Sequence, residues 1–126
     1  MPLGPRLDAW MFWAPRGFPR IPHHDPADIS RRLTPRTKAI MPVHMLGNAC
    51  AMNDIMAIAR KHGLSVIEDV CQANGGSYKG RKLGTIGRLG TFSLNNFKTG
   101  TAGEGGVGIP NDNNLYDILC YPFSVP

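Results

Sequence analysis

Long apolar runs are missing from this chain, and none approaches the roughly 20 residues that a membrane-spanning helix needs. The run Ala9 to Ala14 stops at Pro15 and is shorter than the apolar core of a secretion signal. No membrane partner is expected. Cysteine is scarce and odd in number, with Cys50, Cys71 and Cys120 widely spaced. That speaks against a disulfide scaffold and makes a reducing, cytoplasmic setting the simplest expectation. Acidic residues are few, 9 against 14 basic ones, for a formal charge of +5. Such an excess suits either an anionic partner or a solvated surface. The basic residues fall in short pairs such as Arg31–Arg32, Arg60–Lys61 and Arg81–Lys82, without interleaved aromatic side chains for base stacking. Nucleic acid is therefore not an expected partner. His23 and His24 are adjacent, which is not a metal-ligand spacing on a helix, and no metal is expected. Internal repeats are absent.

What is there fits one globular domain. The chain has 126 residues, of which 42% are hydrophobic and 18% charged. At this size roughly 70% of the unfolded surface can be buried. Glycine (15) and proline (11) are frequent, so tight turns are too. Residues 1–24 are unassigned and expected to be irregular, because Pro2, Pro5, Pro15, Pro19 and Pro22 exclude a long helix. Trp10, Phe12 and Trp13 either pack on something or stay unpaired. A helix starts at Asp25–Pro26 and ends near Thr34, ahead of Pro35. Ala39 to Val43 reads as a strand, and Pro42 inside it implies a sheet edge or a strand end. Met52, Ile55, Met56 and Ala59 carry a helical repeat that runs to His62, with Gly63 as its stop. Ser65 to Glu68 is a second apolar strand ending at Asp69. Strand, helix, strand at this spacing is a βαβ unit with parallel strands, so the fold class is α/β. A hairpin or loop over Tyr78–Leu83, a strand Gly90–Leu94, a glycine-rich turn Gly100–Gly106, a strand Val107–Ile109 and a helix Asn111–Leu119 follow. Residues 120–126 carry no periodic signal.

Ligands of open parallel sheets bind beyond the carboxyl ends of the strands. Asp69 directly follows one strand and Lys98 lies four residues past another. A carboxylate and a lysine so placed suit pyridoxal phosphate. The amine condenses with the aldehyde, and the carboxylate keeps the pyridine nitrogen protonated. The spacing alone equally allows a loop carboxylate or helix cap at Asp69 and an exposed charge at Lys98. His44 also follows a strand end and reads as structural or supporting.

The stretches TPRTKAIMPVHMLGNA, MNDIMAIARKHGL, SVIEDVCQANGGSYKGRKLG and FSLNNFKTGTAGEGGVGIPND resemble the DegT/StrS-type family of pyridoxal-phosphate-dependent sugar aminotransferases. The similarity spans Thr34 to Asp112. It implies a partial type I aminotransferase large domain over residues 25–119, with βαβ units and a mostly parallel sheet. It further implies that Asp69 pairs with the pyridinium nitrogen, that Gln72 lies beside the cofactor ring and that Ser93 contacts the cofactor phosphate. Lys98 is implied as the covalent cofactor lysine and proton shuttle. The turn Gly103-Glu104-Gly105-Gly106 matches the family's glycine-rich stretch and is assigned a tight backbone path only.

The implied reaction moves an amino group from glutamate or glutamine to a keto-sugar or keto-cyclitol, in a homodimer. Several features depart from the family. Members are several-fold longer, with an upstream phosphate-binding loop, a ring-stacking residue and a C-terminal domain that this chain does not match. Gly87-Arg88 stands where members commonly carry Gly-Asp. A second expectation is accordingly an inactive fragment serving at most as an interaction surface. A dehydratase relative would carry histidine in place of the lysine, and Lys98 argues against it.

Overall fold

A computed structural model describes residues 8–13 and 26–120 of the chain. In chain order the elements are strand β1 (Asp8–Trp13), helix α1 (Pro26–Arg32), strand β2 (Thr37–Val43), helix α2 (Met52–His62) and strand β3 (Ser65–Asp69). Strands β4 (Ser77–Tyr78), β5 (Arg81–Lys82), β6 (Leu89–Ser93) and β7 (Gly106–Pro110) and helix α3 (Asn113–Cys120) follow. One sheet runs in the order β1-β2-β3-β6-β7. Its first four strands are parallel, and β7 is antiparallel to β6. β4 and β5 form a separate antiparallel hairpin. The class is α/β with a mostly parallel sheet.

The helix repeat decides where the core lies. Met52, Ile55 and Ala59 share the buried face of α2 and pack with Ile40 of β2 and Val66 of β3. Each large aliphatic side chain so enclosed contributes about 1.5–3 kcal/mol. Gly63 ends the helix in the left-handed region (φ 64°), with its N–H on the carbonyls of Ala59 and Arg60. The strand period of two then sorts the sheet into faces. Ile40, Val66 and Glu68 point toward the helices. Asp69, Thr91 and Ser93 point to the opposite face.

Two sequence expectations need correction, and a third is resolved between its alternatives. Residues 8–13, within the stretch expected to be irregular, form β1 and pair with β2. The prolines around them exclude a helix but leave a proline-free segment rich in aromatic residues, which favours a strand. The rest of that stretch, including Asp25, lies outside the described residues. Of the two alternatives for Pro42 the strand end holds: it stands one residue before the end of β2 (Thr37–Val43), and β2 is not an edge, being flanked by β1 and β3. The ladder to β3 pairs Ile40 with Val66 and resumes at Val43 with Asp69, passing over Met41 and Pro42. The sheet tolerates the missing donor by leaving out one rung, and His44 N–H restores the contact at the Asp69 carbonyl (2.9 Å). Lastly, α3 begins at Asn113 rather than Asn111, because the Asp112 carboxylate accepts the Leu115 N–H (2.7 Å) and caps the first turn.

Candidate functional site

Strands β2, β3 and β6 end on the same side of the sheet, at Val43, Asp69 and Ser93. A buried polar cluster fixes these ends. Glu68 and His44 are both fully enclosed. The Glu68 carboxylate accepts the backbone N–H groups of Gly84 (2.9 Å), Ile86 (2.7 Å) and Gly87 (2.7 Å). Its fourth contact is His44 Nε2 at 3.3 Å. Nδ1 of that ring accepts the Cys50 N–H (3.1 Å), so the proton sits on Nε2, which donates to Glu68. Burial pushes the Glu68 pKa up, but the His44 contact and the three N–H groups outweigh it and hold the carboxyl below its ordinary value. Gly84 suits the turn so gripped: its φ is +86°, and a Cβ there would collide with the Phe92 ring.

The loops beyond the strand ends are tied together. Gln72 accepts the Gly47 N–H on its carbonyl (3.0 Å) and the Leu46 N–H on Oε1 (3.3 Å). These bonds hold Leu46 in the left-handed region (φ 52°), a conformation that costs a non-glycine residue about 1–3 kcal/mol. Between the loops lies a cleft of about 220 Å³, whose walls include Leu46, Cys71, Gln72, Asn74, Phe97 and Lys98. The Lys98 N–H closes a turn on the Asn95 carbonyl (2.9 Å). Its ammonium makes no hydrogen bond or ion pair to a described residue. Phe97 is 96% exposed at the rim.

Of the residues singled out from the sequence, Gln72 and Lys98 meet in this cleft. Asp69 and Ser93 lie on one face of adjacent strands and are not part of its wall. Asp69 Oδ1 accepts the Cys71 N–H (3.0 Å), and Ser93 Oγ accepts the Asn95 N–H (3.4 Å). The Cys71 thiol senses both ends of the site. Burial, then the hydrogen bond and charge of Asp69, raise its pKa to about 11, while Lys98 pulls the other way. Cys71 is therefore a neutral thiol at physiological pH. His44 is the supporting residue its position implied. Glu68, Cys71 and Asn74 escaped the sequence reading. Only Glu68 left a signal, as an acidic residue at the inward position of an apolar strand. A larger cavity of about 500 Å³ lies at the other end of the sheet, by Thr37, His62 and Leu64, and holds none of these residues.

Residues 21–122 match the DegT/DnrJ/EryC1/StrS aminotransferase family. The chain belongs to this family. GDP-perosamine synthase from Caulobacter vibrioides is 47% identical over 97 residues, covering 77% of this chain and 26% of that protein. L-Glutamine:2-deoxy-scyllo-inosose aminotransferase from Streptoalloteichus tenebrarius is 40% identical over 116 residues, covering 86% and 27%. Among solved structures, the aminotransferase from Psychrobacter cryohalolentis superposes with a TM-score of 0.70 at 48% identity, over 72% of this chain and 23% of that one. GDP-4-keto-6-deoxy-D-mannose-3-dehydratase of Escherichia coli, solved with bound hydrated pyridoxal phosphate, gives 0.68 at 32% identity, over 75% and 24%. The chain spans about a quarter of the length of the curated relatives it matches. The departure at Arg88 from the family's Gly-Asp has a local partner. Arg88 Nε donates to Asp112 Oδ2 (2.8 Å), and that contact, with the Leu115 N–H, lowers the Asp112 pKa.

Proposed function

We propose that residues 25–119 are the cofactor-binding segment of a sugar or cyclitol aminotransferase that works with pyridoxal phosphate, and that Lys98 is its covalent attachment point. The observation that carries this reading is the Lys98 ammonium, free of described partners, in one cleft with Gln72 and beside the strand end that bears Asp69. The donor set fits the group. Lys98 supplies an amine, Gln72 keeps its amide N–H₂ available once Oε1 is taken by Leu46, and Ser93 offers a hydroxyl. Asp69 offers the carboxylate that a protonated pyridine nitrogen requires. When bound, the cofactor supplies an electron-accepting ring for the carbon next to the amino nitrogen.

The chain's own residues divide the work. Asp69 holds the ring nitrogen's proton in place, Gln72 donates to the ring oxygen, and Ser93 donates to the phosphate. Lys98, released as an amine, moves a proton to and from the reacting carbon. A keto-sugar or keto-cyclitol acceptor and a glutamate or glutamine donor belong to this reading, supported by relatives named GDP-perosamine synthase and L-glutamine:2-deoxy-scyllo-inosose aminotransferase. A cytoplasmic homodimer belongs to the same proposal. No helix among the described residues is long and apolar enough to cross a membrane. Titration of the chain with pyridoxal phosphate is expected to produce a saturable visible band that the free cofactor lacks and that borohydride bleaches. A spectrum that stays the sum of protein and free cofactor contradicts the proposal.

A further inference from the structure

We infer that His44, buried and outside the cleft wall, is a positioning residue for Gln72. Its ring closes the loop 44–50 at the neck, and the tip of that loop fixes which end of the Gln72 amide faces the cleft. The inference rests on the cofactor reading above and adds how Gln72 comes to present a donor. The two ends of a glutamine amide are nearly equal in size, so only their partners decide its orientation. Gln72 is solvent-exposed, and packing alone does not fix its amide. The Leu46 N–H does, because it needs an acceptor and takes Oε1 (3.3 Å), leaving the N–H₂ group for the cleft. With the amide reversed, Gln72 would set an oxygen against the ring oxygen of the cofactor.

The tip that delivers this N–H is costly to hold. Leu46 (φ 52°) and Gly47 (φ 81°) both lie in the left-handed region. Such backbone persists where the surroundings over-determine it. At the tip, Gln72 supplies two acceptors, Oε1 for Leu46 and its carbonyl for Gly47 (3.0 Å). At the neck, His44 Nδ1 accepts the Cys50 N–H (3.1 Å), and the Cys50 thiol, a weak donor, reaches the Val43 carbonyl (3.2 Å). The His44 ring is itself immobile. It is fully buried, its Nε2 donates to Glu68 (3.3 Å) and its backbone N–H donates to the Asp69 carbonyl (2.9 Å). Loop 44–50 is thereby referenced to β3, the strand that leads to Gln72.

The test is a double-mutant cycle read as affinity for pyridoxal phosphate by absorbance titration. It comprises wild type, His44→Gln, Gln72→Ala and the double variant, with His44→Asn as the rescue. Asparagine Oδ1 stands where Nδ1 stood and keeps the Cys50 bond. Glutamine Nε2 stands where the ring Nε2 stood, keeps the Glu68 bond and gives up Cys50. Gln72→Ala is expected to weaken binding roughly 10-fold, His44→Gln roughly 5-fold and His44→Asn less than about 2-fold. Both His44 variants melt lower than wild type, since each loses a buried bond. The double variant binds as Gln72→Ala does, because no amide is left to orient. Losses that multiply in the double variant overturn the inference. So does wild-type affinity in His44→Gln beside a weakened Gln72→Ala, and so do equal losses in His44→Gln and His44→Asn. All three leave the cofactor reading standing. Should His44→Gln fail to fold, hydrogen exchange of the cofactor-free wild type decides. The Gly47 and Cys50 amides are expected to exchange within about 3-fold of each other, through one opening, and a Gly47 amide at least about 10-fold faster overturns the inference. Failure of the wild-type chain to bind the cofactor, or full affinity in Gln72→Ala, removes the reading on which the inference rests.

Discussion

Glu68→Ala lowers the unfolding free energy of the chain by about 3–5 kcal/mol and its melting midpoint by on the order of 10–20 °C. The size follows from what the carboxylate holds. Three backbone N–H groups, from Gly84, Ile86 and Gly87, and the ring of His44 lose their acceptor at once. All of them are buried, and alanine brings no water-sized polar group to replace the lost oxygens. Glu68→Gln is expected to fall between. Its amide oxygen can serve Ile86 and Gly87, but its N–H₂ then meets the Gly84 N–H and the His44 Nε2 proton, donor against donor. The pH dependence has a definite sign. Because the folded carboxyl lies below its ordinary value of 4.5, its contribution is complete above that value and is lost as pH falls through the folded pKa. The gap between wild type and Glu68→Gln should therefore narrow as the melts are taken below about pH 4.5. Urea titrations of both proteins across pH 3–7 measure it. A cost under about 1 kcal/mol for Glu68→Ala would mean that water or a rearranged loop takes the place of the carboxylate.

Lys98→Arg abolishes covalent capture of pyridoxal phosphate in the cleft while leaving the fold in place. Arginine keeps the positive charge and much of the length of lysine, but its guanidinium stays protonated and does not condense with an aldehyde. Borohydride reduction followed by intact-mass measurement is expected to show at least a 100-fold drop in adduct. The melting midpoint is expected to move by no more than about 2 °C, since the Lys98 ammonium bonds no described residue. Retained capture in this variant, at wild-type yield, would place the reactive amine elsewhere.

Local rules made much of the fold legible. The repeat Met52, Ile55, Ala59 and the stop at Gly63 specify α2, and the short apolar run Ser65–Glu68 specifies β3, because each depends on neighbours within a turn or two. What depended on distant partners was not legible. Pro42 lies inside the sheet because β1 arrives on its far side and the ladder to β3 leaves out a rung, and neither fact has a local trace. The role of Glu68 is fixed by N–H groups 16 to 19 residues further on. Within the cleft, Lys98 had a trace in its place past a strand end, and Gln72 was named by the family resemblance alone. Cys71 and Asn74, in the same wall, had neither. Ser93 and Asp69 lie at neighbouring strand ends rather than in the cleft wall, where they accept the turn N–H groups of Asn95 and Cys71.

The most direct test of the cofactor site is the location of the reduced adduct. The chain carries five lysines, Lys38, Lys61, Lys79, Lys82 and Lys98. After incubation with pyridoxal phosphate, borohydride reduction and proteolysis, mass spectrometry should find the pyridoxyl group on the Lys98 peptide at near-complete occupancy and at trace levels on the other four. Label spread over Lys38, Lys61, Lys79 and Lys82 at yields equal to that of Lys98, or absent from Lys98, would contradict the assignment of this cleft as the cofactor site.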